Sequence, residues 1–123
     1  MAKKHPFLLS VIADEISQDP IVAMDLAAEH GLDGIELRSA WDTPAEKLSD
    51  EQLQTLMDEA GKRNLKISGI ASSFLKDDWG NDDRAKFDAL VRVCHACKCD
   101  HLRGFSFWAN ADYTDEKFAA YLA

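Results

Sequence analysis

The chain has 123 residues, which is the length of one domain built around one hydrophobic core. With 46% hydrophobic and 29% charged residues, its composition is that of a globular protein and not of a disordered chain. Its formal charge of −8 argues against nucleic acid as a partner, because it repels phosphate backbones, and no apolar run approaches the ~20 residues that span a membrane.

The first predicted unit is a strand followed by a helix. Residues 7–13 (FLLSVIA) form a short apolar run that is typical of a buried strand. Asp19 before Pro20 predicts a helix start, since the aspartate oxygen can accept an orphan amide and proline fits the first turn. Gly31 predicts the end of that helix, whose apolar residues recur at helical spacing: Ile21, Met24 and Ala28.

A second strand and helix follow. Residues 34–38 (GIELR) predict a strand in which Glu36 and Arg38 share one face, because side chains alternate along a strand. Ser49 and Gln52 match a capping box, which predicts the start of the second helix. Its apolar stripe is Leu53, Leu56, Met57 and Ala60.

The second half of the chain repeats this pattern. Residues 66–71 predict a third strand, and a polar loop runs on to residue 81. Asn81 or Asp82 can cap the third helix, whose predicted apolar face is Phe87, Leu90, Val91, Cys94 and Cys97. Residues 101–107 (HLRGFSF) predict the fourth strand. Thr114 begins a fourth helix, whose apolar side is Phe118, Tyr121 and Leu122.

The order βαβαβαβα predicts a parallel sheet, because each helical crossover returns the chain to the same end of the sheet. An open flavodoxin-like sheet is one arrangement with this order. The other is a (βα)4 half of a TIM barrel with outer helices, and the length favours it, since a whole barrel takes about 250 residues. We therefore expect residues 1–123 to form a single half-barrel domain.

Four fragments carry a resemblance to a known family. They are residues 34–42 (GIELRSAWD), 48–52 (LSDEQ), 65–70 (LKISGI) followed by two serines, and 102–108 (LRGFSFW). In this order and spacing the chain resembles the first half of sugar phosphate isomerase/epimerases of the xylose isomerase-like barrel superfamily. The resemblance implies metal-assisted isomerisation or epimerisation of a sugar or sugar phosphate.

The resemblance also places the family's metal ligands mainly at the ends of the later strands, beyond the part of the barrel that this chain resembles. It implies a divalent metal (Mn²⁺, Mg²⁺ or Zn²⁺) without naming a full ligand set here. Barrel relatives that cleave phosphodiesters have extra histidines at the early strand ends, where this chain has Ser72 and Ser106.

In a barrel the active site lies at the carboxyl ends of the strands. We expect Glu36 and Arg38 there as catalytic residues, and Glu15 and Glu36 as metal ligands. The Arg38 fork can bind phosphate or carboxylate. An ion pair between Glu36 and Arg38 inside the sheet is the equally weighted alternative. The predicted substrate-binding residues are Asp14, Trp41, Ser72, Ser106 and Trp108, although packing or an interface is the favoured role for the two tryptophans.

Residues 94–101 (CHACKCDH) concentrate zinc-type ligands. Cys94 and Cys97 also continue the apolar face of the third helix, and free cysteine commonly behaves as a small buried hydrophobe, so burial is the favoured interpretation. Three clustered cysteines suit a reducing compartment, and we expect a cytoplasmic protein.

A half barrel leaves two edge strands unpaired. We therefore expect a homodimer in which two copies complete eight strands around a shared mouth. Three functional hypotheses follow: an isomerase or epimerase of a small sugar or sugar phosphate, a metal-dependent phosphoester hydrolase with its site at the dimer mouth, and a folded barrel fragment without native activity.

Overall fold

The computed structural model describes residues 6–78, 83–108 and 114–123. In these ranges the helices are α1 (Pro20–Glu29), α2 (Asp50–Lys62), α3 (Arg84–Ala96) and α4 (Asp115–Leu122). The strands are β1 (Ser10–Ile12), β2 (Gly34–Leu37), β3 (Ser39–Ala40), β4 (Thr43–Pro44), β5 (Lys66–Phe74) and β6 (Leu102–Gly104). None of the helices in the described part of the chain combines the length and the apolar character needed to cross a lipid bilayer.

The main sheet is parallel, and its strands lie in chain order, β1-β2-β5-β6. The prediction of a parallel (βα)4 unit is therefore confirmed. A flavodoxin-like sheet reverses direction in its strand order, so the sequential order excludes it. Because right-handed crossovers between sequential strands put the helices on one face, α1 packs beside α2 and α2 beside α3. None of α1, α2 and α3 covers the other face, which is called the helix-free face below and on which Ser10, Lys66 and Ser68 are exposed.

The sequence signals for helix starts are satisfied by hydrogen bonds. The Asp19 carboxylate accepts a hydrogen bond from the Ile21 amide at 2.9 Å, and Ser49 and Gln52 form both bonds of a capping box. Thr114 caps α4. At α3 the residue before the helix is Asp83, whose side chain makes no capping bond. The two residues predicted to cap α3, Asn81 and Asp82, lie outside the described residues.

The core lies between the sheet and its helices. In α2 the predicted stripe is confirmed, with Leu53, Leu56 and Ala60 fully buried and Met57 half-buried. In α3 the predicted face is partly wrong. Val93 is fully buried, while Phe87 is 41% exposed, because the helix is turned so that Leu90, Val93 and Cys97 face the sheet.

Two strand predictions differ from the structure in length. The first strand covers only Ser10–Ile12, and Phe7 and Leu8, predicted as buried, are 60% and 64% exposed. Their apolar character does not bury them, because they precede the pairing with β2, which begins at Ser10. The fourth strand covers Leu102–Gly104, so Phe105 and the residues after it belong to a loop.

Candidate active site

A carboxylate–arginine cluster lies at the carboxyl ends of β1 and β2. Asp14 and Glu15 belong to a 3₁₀ turn that directly follows β1, and Arg38 directly follows β2. The Nε of Arg38 donates to both Asp14 oxygens at 2.9 and 3.1 Å, and its Nη2 donates to Glu15 at 2.7 Å. Ser39 donates a further bond to Asp14 at 3.0 Å. The structure therefore brings together three of the predicted site residues.

The two carboxylates fix the charge state of Arg38. Its pKa is raised by the hydrogen bonds that it donates to Asp14 first and then to Glu15, so the guanidinium stays charged. Two carboxylates against one guanidinium leave the cluster with a net charge of about −1 at neutral pH. Arg38 uses Nε and Nη2 within the cluster, and these bonds tie the end of β2 to the turn after β1.

The alternative ion pair between Glu36 and Arg38 is not formed. The strand β2 ends at Leu37, and Arg38 binds the carboxylates that follow β1. The partners of Arg38 are therefore Asp14 and Glu15, in the turn after the neighbouring strand, and not Glu36 in its own strand.

A tight hairpin next to the cluster holds Trp41. Strands β3 and β4 are joined by the two residues Trp41 and Asp42, both with positive φ (51° and 55°). Such a turn favours Asn-Gly, so these residues hold a conformation that their side chains disfavour. Gln18 stabilises it: its carbonyl accepts from the Trp41 amide at 2.7 Å and its side chain accepts from the Asp42 amide at 3.1 Å.

Gln18 also connects the hairpin to the carboxylate–arginine cluster, since its amide donates to the Ser39 hydroxyl at 2.8 Å. Sequence reasoning missed both Gln18 and the hairpin. A lone glutamine after a strand carries no sequence signal, and the Trp-Asp pair lacks the glycine that marks such turns. Trp41 itself is half-buried and packs against the core.

Glu36 lies on the helix-free face of the sheet. Its neighbours Ile35 and Leu37 are buried on the helix side, so alternation puts Glu36 on the other face. Its carboxyl carbon lies over Gly69 of β5, 3.7 Å from where a Cβ would stand at that glycine. Among the described residues, no hydrogen bond or ion pair engages this half-buried carboxylate.

The residues predicted as metal ligands do not make a metal site together. The Glu15 carboxylate is bound by Arg38, whereas Glu36 stands over Gly69. Within residues 6–78, 83–108 and 114–123, no group of three or more His, Cys, Asp or Glu side chains converges as a metal ion requires. The described residues therefore do not fit the implied divalent metal as a complete ligand set.

A cation–aromatic platform follows β5 and β6. The Nζ of Lys76 lies 5.5 Å from the ring centre of Phe105 and 5.8 Å from that of Trp108, distances at which a cation is attracted to a ring face. The loops are joined by backbone bonds, from the Phe107 amide to Leu75 and from the Trp108 amide to Asp77, both at 2.9 Å. Trp108 is 51% exposed.

The two predicted serines differ in environment. Ser106 is exposed in the loop of the cation–aromatic platform. Ser72 is 2% exposed, and its hydroxyl donates to the Arg103 carbonyl and accepts from the Phe74 amide. Ser72 therefore uses its hydrogen-bonding capacity inside the fold, where it links β5 to β6.

In the described part of the chain, residues 94–101, which include the end of α3, contribute to no group of three or more metal-binding side chains. Cys97 is buried, and burial raises the pKa of its thiol to about 12. Burial also raises the pKa of the Cys94 thiol. Cys97 is therefore a buried thiol, as the favoured interpretation of this segment predicts.

These two thiols predict an order of chemical reactivity. At pH 8 we expect an aromatic disulfide reagent to modify Cys94 before Cys97, because the thiolate is the reacting form and Cys97 is both buried and protonated. Peptide mapping by mass spectrometry over time measures this order, with the urea-unfolded chain as the control in which all three cysteines react. Equal rates for Cys94 and Cys97 in the folded chain would contradict the burial of Cys97.

Comparison with known proteins finds similar structures but no similar family model or curated sequence. No family model matches the sequence, and no curated protein is significantly similar to it. Among solved structures, the chain is similar to the probable 3-DHS dehydratase AsbF, involved in petrobactin synthesis, from Bacillus anthracis. The TM-score is 0.68 and the sequence identity 18%, over 94% of this chain and 46% of that one.

A second similar structure is D-psicose 3-epimerase in the presence of D-fructose, with a TM-score of 0.63 and 16% identity. The likeness covers 92% of this chain and 44% of that one. Both are TIM-barrel enzymes, so the chain spans a little under half the length of the barrels that it matches. At these identities the likeness establishes the fold.

Proposed function

We propose that this chain forms one side of the mouth of a barrel enzyme of the isomerase or epimerase type, acting on a sugar or sugar phosphate. The observation that carries the proposal is the position of Glu36. Its half-buried carboxylate lies near the carboxyl end of β2, on the face that lines the inside of a barrel. No partner among the described residues neutralises it. Similarity in fold to a D-psicose 3-epimerase supports the reaction type.

In this proposal Glu36 is the general base. It accepts a proton from the carbon next to the substrate carbonyl, so a C–H bond breaks, a carboxylic acid O–H forms and the electron pair remains on the substrate as an enediolate. Return of this proton to the former carbonyl carbon, together with transfer of the neighbouring hydroxyl proton to the former carbonyl oxygen, gives an isomer. Delivery of a proton from a water molecule on the opposite face of the same carbon gives an epimer, and the hydroxide left behind takes up the proton held by Glu36. Because Gly69 has no side chain, the Glu36 carboxylate lies directly over the backbone of β5.

The cation–aromatic platform is the proposed substrate-holding surface. The exposed face of Trp108 can stack on the apolar face of a sugar ring, and Lys76 supplies a charge for a phosphate group. The carboxylate–arginine cluster holds the adjoining loops in place, and its net negative charge keeps a phosphate away from Arg38.

The proposal is tested by replacing Glu36 with glutamine. We expect Glu36→Gln to lower the conversion of D-fructose, D-psicose or a ketose phosphate by about 10²-fold or more, since that is the usual contribution of a positioned base. Sugar products are followed by chromatography, with and without Mn²⁺. The matched control is Glu51→Gln, the same change at an exposed position on α2, which should leave conversion unchanged.

Two results would contradict the proposal. Equal conversion by the wild type and Glu36→Gln would remove Glu36 as the base. A wild-type chain that converts none of these sugars in either condition would favour the hypothesis of a folded barrel fragment without native activity.

A further inference from the structure

The two helices on either side of α2, α1 and α3, each have an apolar flank next to an unpaired edge strand of the described sheet. In α1 the flank consists of Val22 and Leu26, one turn apart and 51% and 41% exposed. Leu26 lies on the opposite side of the buried stripe of α1 from Asp25, which binds Arg63 at the end of α2 at 2.6 Å. The Leu26 flank therefore faces away from α2, toward the open edge of β1.

The other end of the sheet has the same arrangement. Arg92 of α3 binds Asp50 at the start of α2 at 2.6 Å, so that side of α3 faces α2. Val91 and Cys94 lie on the opposite side, where they line an open groove of about 520 Å³ together with Leu102 of the edge strand β6. This second apolar flank therefore borders the open edge of β6.

The helix-free face of the sheet is also incomplete. The hydroxyls of Ser10 and Ser68 bond to each other across β1 and β5 but remain exposed, as does Lys66. In a closed barrel this face is the filled interior. Two edges and one face of the described sheet thus lack the neighbours that a barrel supplies.

We propose that a second copy of this chain closes the barrel, with β6 of each copy pairing in parallel with β1 of the other. A two-fold axis satisfies both edges of both copies at once, and four strands from each copy make eight, the number whose interior side chains can fill. The apolar flanks of α1 and α3 then lie on either side of each seam.

The charges of the two helices support pairing between unlike edges. α1 contains Asp25 and Glu29 and no basic residue, which gives −2. α3 contains Arg84, Lys86 and Arg92 against Asp88, which gives 3 − 1 = +2 with histidine neutral. Pairing β6 with β1 brings a basic helix toward an acidic one at both seams, whereas pairing like edges would bring equal charges together.

Closure would also complete the catalytic mouth. Under the proposed function, two copies of Glu36 and two cation–aromatic platforms would surround one opening, so the substrate would be held by residues from both chains. This consequence rests on the proposed function, but the pairing itself does not, and it is measured by mass without any activity assay.

The experiment uses light scattering of the full chain and a pair of complementing variants. We expect the wild type to have the mass of two chains, and Leu26→Asp on α1 and Val91→Asp on α3 each to have the mass of one. Mixing the two variants should restore a dimer. In that heterodimer both substitutions meet at one seam, while the other seam joins two unaltered edges.

The control is Thr55→Asp, which places the same charge on the exposed outer face of α2, away from both seams, and should leave the dimer intact. Circular dichroism checks that each variant is folded, and Val22→Asp repeats the test if Leu26→Asp loses helix. A monomeric wild type, a dimer that survives both substitutions, or folded variants that stay monomeric after mixing would each overturn the inference. An inactive dimer would count against the proposed function alone.

Discussion

Replacing Gly34 with alanine is expected to lower the free energy of unfolding by about 1–3 kcal/mol or more, as overpacked interiors do. A Cβ at this position would stand 2.6 Å from the carbonyl oxygen of Lys66. That atom belongs to the backbone of the neighbouring strand, so no side-chain rotation can relieve the clash. β2 and β5 would have to separate where their pairing begins, at Gly34 and Lys66.

Urea denaturation followed by circular dichroism measures this loss. Gly61→Ala is the matched control, because a Cβ at Gly61 would meet nothing within 4 Å and the residue lies in α2. Alanine favours helix over glycine, so we expect the control to gain up to about 1 kcal/mol. If both variants shifted the unfolding midpoint in the same direction, the close approach of β2 to β5 at Gly34 would be wrong.

The features that the sequence predicted well depend on interactions between residues close in the chain. A capping box needs only Ser49 and Gln52, and the burial of Leu53 and Leu56 follows from helical spacing within α2. The parallel sheet was predictable because the helical crossovers force its direction. The order of the strands in the sheet was not predictable from the sequence. Only the structure shows the sequential order that distinguishes a half barrel from a flavodoxin-like sheet.

The features that were missed depend on contacts between distant residues. The partners of Arg38 lie 23 and 24 positions earlier in the chain, so alternation along β2 favoured Glu36 in their place. Gln18 is likewise defined by its bonds to the hairpin at Trp41. Ser72 is a further example of a contact between distant residues. Its position near the end of a strand indicated a binding role, but its hydroxyl donates a hydrogen bond to the Arg103 carbonyl in β6.

The buried position of Asp14 predicts a second large effect. Its side chain is 6% exposed and accepts bonds from Arg38 and Ser39, so Asp14→Ala removes a charged acceptor from three donor contacts. Hydrogen bonds to charged groups contribute about 1.5–3 kcal/mol, and we expect a loss of that size in the free energy of unfolding. Urea denaturation of the variant measures it.

The neighbouring carboxylate provides the control. Glu15 binds the same guanidinium at 2.7 Å but is 60% exposed, so water screens its charge and replaces its bond, and Glu15→Ala should cost less than about 1 kcal/mol. Equal losses in the two variants would mean that burial does not distinguish the carboxylates. A larger loss for Asp14→Ala would instead identify the Arg38–Asp14 pair as the contact that fixes the end of β2, beside the proposed base Glu36. The same pair would then hold the start of the hairpin, where Gln18 binds Ser39.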